Sequence, residues 1–309
     1  MTFCPQDNET DLLESRRRTV SAIKQKAPEM RVYYPTNLSA LDQTRLAESC
    51  LLPASFEKMT ASALASDEKE TLSVAMNTGE HLLLQARDKA GHLEELAARV
   101  RILEKNIALP EHPYAYDERF GYLSFSPVLA GSGIYVSLVM HLPMLSFLKQ
   151  AKALSETLKQ RYYCFLKPLP STDGPNPGNL YRLGNASGFG REDEGIIRQV
   201  KEAAMMVADK EAFLRDKAFH HARVTPLADR AWRSYGILRH ARRLATDDYL
   251  SLWSRLRLGA VAGILPVRVE KTDHMLEFGG DSRYLTEGAD RKTCPFRRAD
   301  EVRQALSGG

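Results

Sequence analysis

Four cysteines and one adjacent histidine pair are the side chains of this 309-residue sequence best suited to metal or redox chemistry. Cys4, Cys50, Cys164 and Cys294 stand singly, with no Cys-x-x-Cys pair, so neither a structural zinc site nor a disulfide framework is expected. His220 and His221 would point in different directions on a helix and have no evident cysteine or carboxylate partner. A surface or linker role is expected for them, and no metal site. Arg16-Arg17-Arg18 could contact an anion, yet the run is short and flanked by Glu14, which reads as a solvated helix face. Basic and acidic side chains number 43 and 39, a net charge of +4, too even a balance to argue for nucleic acid. No apolar run approaches the roughly 20 residues of a membrane span. The first residues, Met-Thr-Phe-Cys-Pro, form no basic leader before an apolar stretch, so the cytoplasm is the expected location.

Any chemistry must be positioned by the elements that the patterning predicts. Residues 1–30 are polar and read as a helix or a loosely held arm. Asn37 to Leu46 offers caps and a helix, Pro53-Ala-Ser55 caps another, and Leu72–Met76 alternates like a strand that is followed by extended chain to Gln85. Leu93, Leu96, Val100, Leu103 and Ile107 share one face of a helix over 92–107. Strands are expected over 121–125, 134–140, 162–166 and 179–183, and helices over 144–160 and 192–217. Thr225-Pro226 starts the first of two further helices, 226–245 and 246–262. Strands and helices do not alternate regularly, which favours α+β. The expected organisation is an N-terminal arm (1–30), an antiparallel sheet flanked by helices (31–218) and a helical C-terminal domain (219–309).

Three segments carry a family resemblance. Asp117-Glu-Arg-Phe-Gly-Tyr-Leu-Ser-Phe-Ser-Pro-Val-Leu-Ala-Gly-Ser-Gly-Ile-Tyr-Val-Ser-Leu-Val-Met-His-Leu-Pro143 resembles, without a gap, the central motif of the phosphagen (ATP:guanidino) kinases. Gly178-Asn-Leu-Tyr-Arg-Leu-Gly-Asn185 is similar to their G-N-L-F-Q-I-S-N. Arg233-Ser-Tyr-Gly-Ile-Leu238, with Ala241-Arg242 and Arg257-Leu-Gly259, resembles the bacterial protein-arginine-kinase branch in particular. The resemblance spans roughly residues 36–265. It implies an antiparallel sheet that binds ATP and a helical domain for dimerisation and phosphoarginine binding, in an enzyme that phosphorylates a guanidinium nitrogen of protein arginine.

Phosphoryl transfer depends on positive charge around the triphosphate and on positioning, and a guanidinium is a poor nucleophile because it stays protonated. Measured against the family, this sequence has lost most of what that demands. The phosphate-contacting arginine motif near the N-terminus has no equivalent beyond Ser15-Arg-Arg-Arg18. The N-E-E-D-H motif is Asn77-Thr-Gly-Glu-His81, with Gly79 and Glu80 as degenerate counterparts of acidic positions, and the arginine after it is Leu83. The reactive cysteine is Ser126, an asparagine is Leu129 and a nucleotide-binding arginine is Tyr135, whereas Ser137 is kept near the expected adenine. The mobile loop is Lys167-Pro-Leu-Pro-Ser-Thr-Asp-Gly-Pro-Asn-Pro-Gly-Asn179, with no glutamate, four prolines and Lys167 in place of an arginine.

The expectation is therefore a pseudokinase that acts by binding a protein, such as stress-response or protease-adaptor machinery, and uses no cofactor. The alternative is an active phosphotransferase with a rewired site, using ATP and Mg. In a third reading Arg298 and Arg303 hold the phosphate of phosphoarginine and Asp300 its guanidinium; a plain amphipathic terminal helix explains the same residues. A homodimer is expected through Leu238, Leu252, Leu256 and Val261, and Leu83 and Tyr135 are expected to line an open cleft. His141 reads as a structural histidine, and Asp117-Glu118-Arg119 as a turn with an ion pair.

Overall fold

The computed structural model describes residues 8–52, 56–126, 128–169, 176–219, 225–285 and 290–307. Four expectations fall outside these residues: Cys4, the cap at 53–55, the centre of the proline-rich loop (170–175) and His220-His221. The described chain forms two compact units, one running to Val136 and including Asn185–Arg198, the other holding Ser137–Gly184 and everything from Gln199. These units cut across the segments 31–218 and 219–309 drawn from sequence texture.

The first unit begins with α1 (Glu9–Lys26), capped by the Asn8 side chain, which accepts from Thr10 N. Its apolar residues Val20, Ala22 and Ile23 are buried, so Glu9–Lys26 is a packed helix, the first of the two alternatives expected for this segment. β1 (Arg31–Tyr33), α2 (Ala40–Glu48), β2 (Ala63–Ser66), β3 (Leu72–Met76), β4 (Leu82–Ala86) and α3 (Leu93–Ile107) follow. The four strands form an antiparallel sheet in sequential order. One sheet face sends Ala63, Ala65, Val74 and Met76 against Ile23, Leu103 and Ile107. The opposite face packs Tyr33, Leu64 and Ala75 against Leu46, Leu51 and Phe56. Because both faces are covered, all four residues of β2 are buried and no alternation marks it in the sequence. β5 (Tyr116–Asp117) and β6 (Gly121–Tyr122) close a small hairpin. Its turn is the expected one: Asp117 Oδ1 accepts from Arg119 N (2.8 Å) and Phe120 N (3.2 Å), with Arg119 Nε 3.7 Å away.

In the second unit β7 (Ser137–His141) pairs antiparallel with β9 (Leu180–Asn185), from Ser137 opposite Gly184 to His141 opposite Leu180. β8 (Cys164–Pro168) lies along the other edge of β9. The single helix expected over 144–160 is two, α4 (Pro143–Phe147) and α5 (Ala151–Tyr162), separated where Lys149 takes φ +55°. Glu211, on α6 (Asp193–Phe219), fixes the start of α4: its buried carboxylate accepts from Met144 N (2.7 Å) and Leu145 N (2.9 Å). Burial pushes that carboxyl pKa up while the two amides pull it down.

The helical remainder comprises α7 (Pro226–His240), α8 (Thr246–Val261), α9 (Val269–Met275) and α10 (Cys294–Ser307). Thr225 caps α7 through Ala228 N. Leu238, Tyr249, Trp253, Leu256, Met275, Phe278, Ala299 and Val302 form its core. Leu238 and Leu256, expected at a dimer face, are fully buried inside this core, and Leu252 packs against it. α9 and α10 pack onto the helix pair, bringing Met275, Ala299 and Val302 into the same core as Leu238 and Leu256. At Gly259 a Cβ would come within 2.6 Å of Leu265 and 2.9 Å of Ala231, so the glycine of Arg257-Leu-Gly259 permits close packing of α7 against α8.

Candidate functional site

β3 and β4 are joined by the loop 77–81, and its geometry follows from two residues with positive φ, Asn77 (+53°) and Gly79 (+127°). Asn77 Nδ2 donates to the carbonyls of Leu12 and Ala61, both at 2.9 Å, and anchors the loop base. Gly79 sits at the tip with nothing within 4 Å of where a Cβ would stand. A carboxylate at this position would therefore meet open space but a backbone conformation that L-residues avoid. Gly79→Glu is expected to lower stability by about 1–2 kcal/mol in urea denaturation. An unchanged midpoint would show that the loop relaxes.

Glu80 is turned to a different use. Its carboxylate accepts from Ser124 Oγ (2.7 Å), Phe125 N (3.1 Å) and Ser126 N (2.7 Å). The strand expected over 121–125 ends at Tyr122; Leu123 N still donates to Ala115 O (2.9 Å), and beyond it the amides of Phe125 and Ser126 are held by Glu80 and not by a neighbouring strand. This clamp also brings two of the three degenerate positions, Glu80 and Ser126, into one contact, with Gly79 beside them in sequence. A second departure from the expected strands has a similar cause. The 134–140 strand begins only at Ser137 because the Asn185 side chain serves Val136 N (2.7 Å) and Ile134 O (3.2 Å) in place of a neighbouring backbone.

Leu83 and Tyr135 do not share an environment, which corrects the open-cleft expectation for one of them. Leu83 lies opposite Ala75 in the sheet and packs against the core of Tyr33, Leu46, Leu64 and Phe56. Tyr135 is 39% exposed. Of the three N-terminal arginines, Arg16 donates to the carbonyls of Thr60 (2.8 Å) and Ser62 (3.3 Å), and Arg17 and Arg18 pair with Glu14.

In the second unit Ser137 is half-buried at the start of β7, and Lys167 is exposed on β8 with its ammonium 5.0 Å from the Phe165 ring centre. His141, at the end of β7, is held on both ring nitrogens. Arg257 Nη1 can only donate, so at 3.1 Å it makes Nδ1 the acceptor and leaves Nε2–H to donate to Ser254 Oγ at 2.7 Å. Ser254 also accepts from Asn179 (2.8 Å), and Arg257 is paired with Asp273 (2.6 Å). The His141 ring lies 5.0 Å from that of Trp253. Burial first, and the Arg257 charge second, hold its pKa well below 6.5. Below pH 6.5 the unfolded chain therefore takes up a proton that the native chain refuses, so this residue lowers stability as pH falls, by up to about 1.4 kcal/mol per unit. Urea denaturation at about pH 7.5 and 5.5 is expected to show a larger acid loss in the parent than in His141→Gln. Equal losses would refute the assignment.

The three candidate phosphoarginine ligands lie on α10. Arg298 is fully buried: Nε donates to Phe278 O (2.8 Å), Nη1 to Leu244 O (2.7 Å) and Nη2 to Gly279 O (3.1 Å) and the Asp281 carboxylate. Arg303 pairs with Asp300 and donates to Ala241 O. Arg298 and Arg303 thus serve different carbonyls. Among the described residues no group of three or more His, Cys, Asp or Glu side chains converges as a metal site, and no helix is long and apolar enough to cross a membrane.

Comparison with known proteins agrees with the motifs. Residues 12–214 match the family described as ATP:guanido phosphotransferase, C-terminal catalytic domain, and residues 224–307 match the protein-arginine kinase McsB C-terminal domain. The chain is 30% identical over 281 residues to the protein-arginine kinase of Symbiobacterium thermophilum, covering 89% of this chain and 79% of that one. It is 25% identical over 293 residues to that of Staphylococcus saprophyticus, covering 94% and 85%. Among solved structures it resembles the duplicated taurocyamine kinase of Schistosoma mansoni (TM-score 0.60, 17% identity), covering 81% of this chain and 36% of that one. Lombricine kinase is similar at TM-score 0.59 and 15% identity, covering 69% and 62%. From the central motif through the C-terminal helices, the chain belongs to the ATP:guanido phosphotransferase family, in its protein-arginine-kinase branch.

Proposed function

We propose that this chain is a pseudokinase that acts by binding a protein partner in the cytoplasm, with a functional division near residue 219 between the kinase-like part and the helical C-terminal part. One observation carries the reading: the position that corresponds to a phosphate-binding arginine is Leu83, and its partly buried side chain packs against the core cluster of Tyr33, Leu46, Leu64 and Phe56. The other degenerate positions support it. Gly79 takes a φ that disfavours a carboxylate-bearing residue, and Glu80 is engaged by three donors from residues 124–126. Removing a single electrostatic stabiliser of a transition state commonly lowers a rate by about 10²–10³, and here several positions have changed together. ATP and Mg do not fit the described residues at these positions, since neither Leu83 nor Tyr135 can neutralise phosphate oxygens.

Titration calorimetry with Mg and ATP tests the proposal. No saturation is expected at about millimolar nucleotide. A Kd below about 100 μM, near −5.5 kcal/mol, would overturn it and favour the active phosphotransferase.

A further inference from the structure

Helix α7 and the turn that follows it carry a concentration of charge that the core does not use. Residues 230–243 read Arg-Ala-Trp-Arg-Ser-Tyr-Gly-Ile-Leu-Arg-His-Ala-Arg-Arg, with five arginines and no acidic residue in a chain whose net charge is only +4. Ala228, Ala231, Ser234 and Leu238 bury the inner face of the helix. Arg230, Arg233, Arg239, Arg242 and Arg243 are all exposed, and so are Trp232 (47%) and Ile237 (49%). Arg233 is paired with Asp229, and the guanidinium groups of Arg230 and Arg239 lie over the Phe147 and Tyr235 rings. Arg242 and Arg243 have no acidic partner among the described residues.

We propose that the exposed surface of α7 and of the turn that follows it, from Arg230 to Arg243, is a docking surface for an acidic segment of a protein partner, with Trp232 receiving an apolar side chain of that segment. The inference deepens the binding reading above by naming the surface and the chemistry of the partner. Arginine forks match carboxylates in pairs, and tryptophan and arginine dominate binding energy at protein interfaces. A membrane is a poorer occupant, because the apolar face of α7 is buried and two isolated apolar side chains give little area to insert. Nucleic acid is also a poorer occupant, because this positive cluster is confined to residues 230–243 in a chain of nearly balanced charge.

Trp232 provides the readout. The chain has two tryptophans, and Trp253 is buried with its Nε1 donating to Thr272 O (2.7 Å). The probe is a peptide rich in Asp and Glu with a central Leu, titrated into the full-length chain. Saturable binding with a blue shift of emission is expected, with no shift in Trp232→Phe. Arg242→Glu/Arg243→Glu is expected to weaken binding at least about tenfold, and Arg242→Gln/Arg243→Gln to weaken it less, both with unchanged circular dichroism and melting. The proposal is overturned if the peptide does not bind or binds both arginine variants like the parent. Tighter capture of the chain by a single-stranded oligonucleotide or by anionic vesicles than by the peptide would overturn it as well. ATP calorimetry is indifferent to these variants, so failure here leaves the pseudokinase reading standing, and the reverse.

Discussion

Arg298→Met is expected to destabilise the second unit by about 3–5 kcal/mol. The side chain has no solvent exposure, and its guanidinium joins three backbone carbonyls, from Leu244, Phe278 and Gly279, to the Asp281 carboxylate. It also lies 5.4 Å from the Tyr284 ring centre. Methionine fills most of the volume but leaves these acceptors without donors in a place where water does not replace them. Arg298→Lys retains the charge and loses the planar fork, so an intermediate loss of about 2 kcal/mol is expected. Arg303→Ala, at a site where Asp300 is exposed, should remain within about 1 kcal/mol. Urea unfolding followed by the buried Trp253 measures all three. Equal, small losses for Arg298 and Arg303 would mean that the Arg298 network is not what fixes the turn at 276–279 against α10.

This arrangement bears on what Arg298 can do for a ligand. Presenting its guanidinium to a phosphate would require withdrawing it from the carbonyls that hold residues 244 and 278–279 together. The sequence motif around Arg298, Asp300 and Arg303 marks residue types without showing which of them face inward. Burial is the missing information, because a helix of this composition reads the same whether its arginines bind a ligand or the chain's own backbone.

Legibility of the rest divides along similar lines. α3 and α6 are legible because each exposes one face and buries the other, which leaves a helical period in the sequence, and α7 is legible from its Thr225-Pro226 start. β3 and β9 were readable from alternation or motif. β2 was not, because Ala63, Leu64, Ala65 and Ser66 are all buried and carry no alternation. The break at Lys149 was missed because a positive φ at a lysine has no sequence signature, whereas Gly79 and Asn77 are types that adopt it readily. At the candidate site Glu80 and Ser126 are legible as motif positions, whereas the bond from the Ser126 amide to the Glu80 carboxylate is not. That contact depends on the distance between a hairpin loop and a segment 46 residues later, which a local pattern does not encode.

The repair experiment that the motifs suggest should fail at Leu83 for a structural reason. Leu83→Arg is expected to destabilise the first unit by about 2 kcal/mol, through lost burial against Leu46, Leu64 and Phe56 and through desolvation of part of the new side chain. The cost stays moderate because Leu83 is only partly buried and arginine can extend its charge toward water. Tyr135→Arg, at an exposed position, should change stability by no more than about 0.5 kcal/mol. The double variant should therefore carry the loss of Leu83→Arg alone, and calorimetry with Mg and ATP should show no saturable binding. If Leu83→Arg keeps parental stability, the β3–β4 face has room for a guanidinium and Leu83 is not a core seal. If the double variant also binds ATP at micromolar concentrations, the cleft is intact and the proposal that a refilled core excludes nucleotide fails.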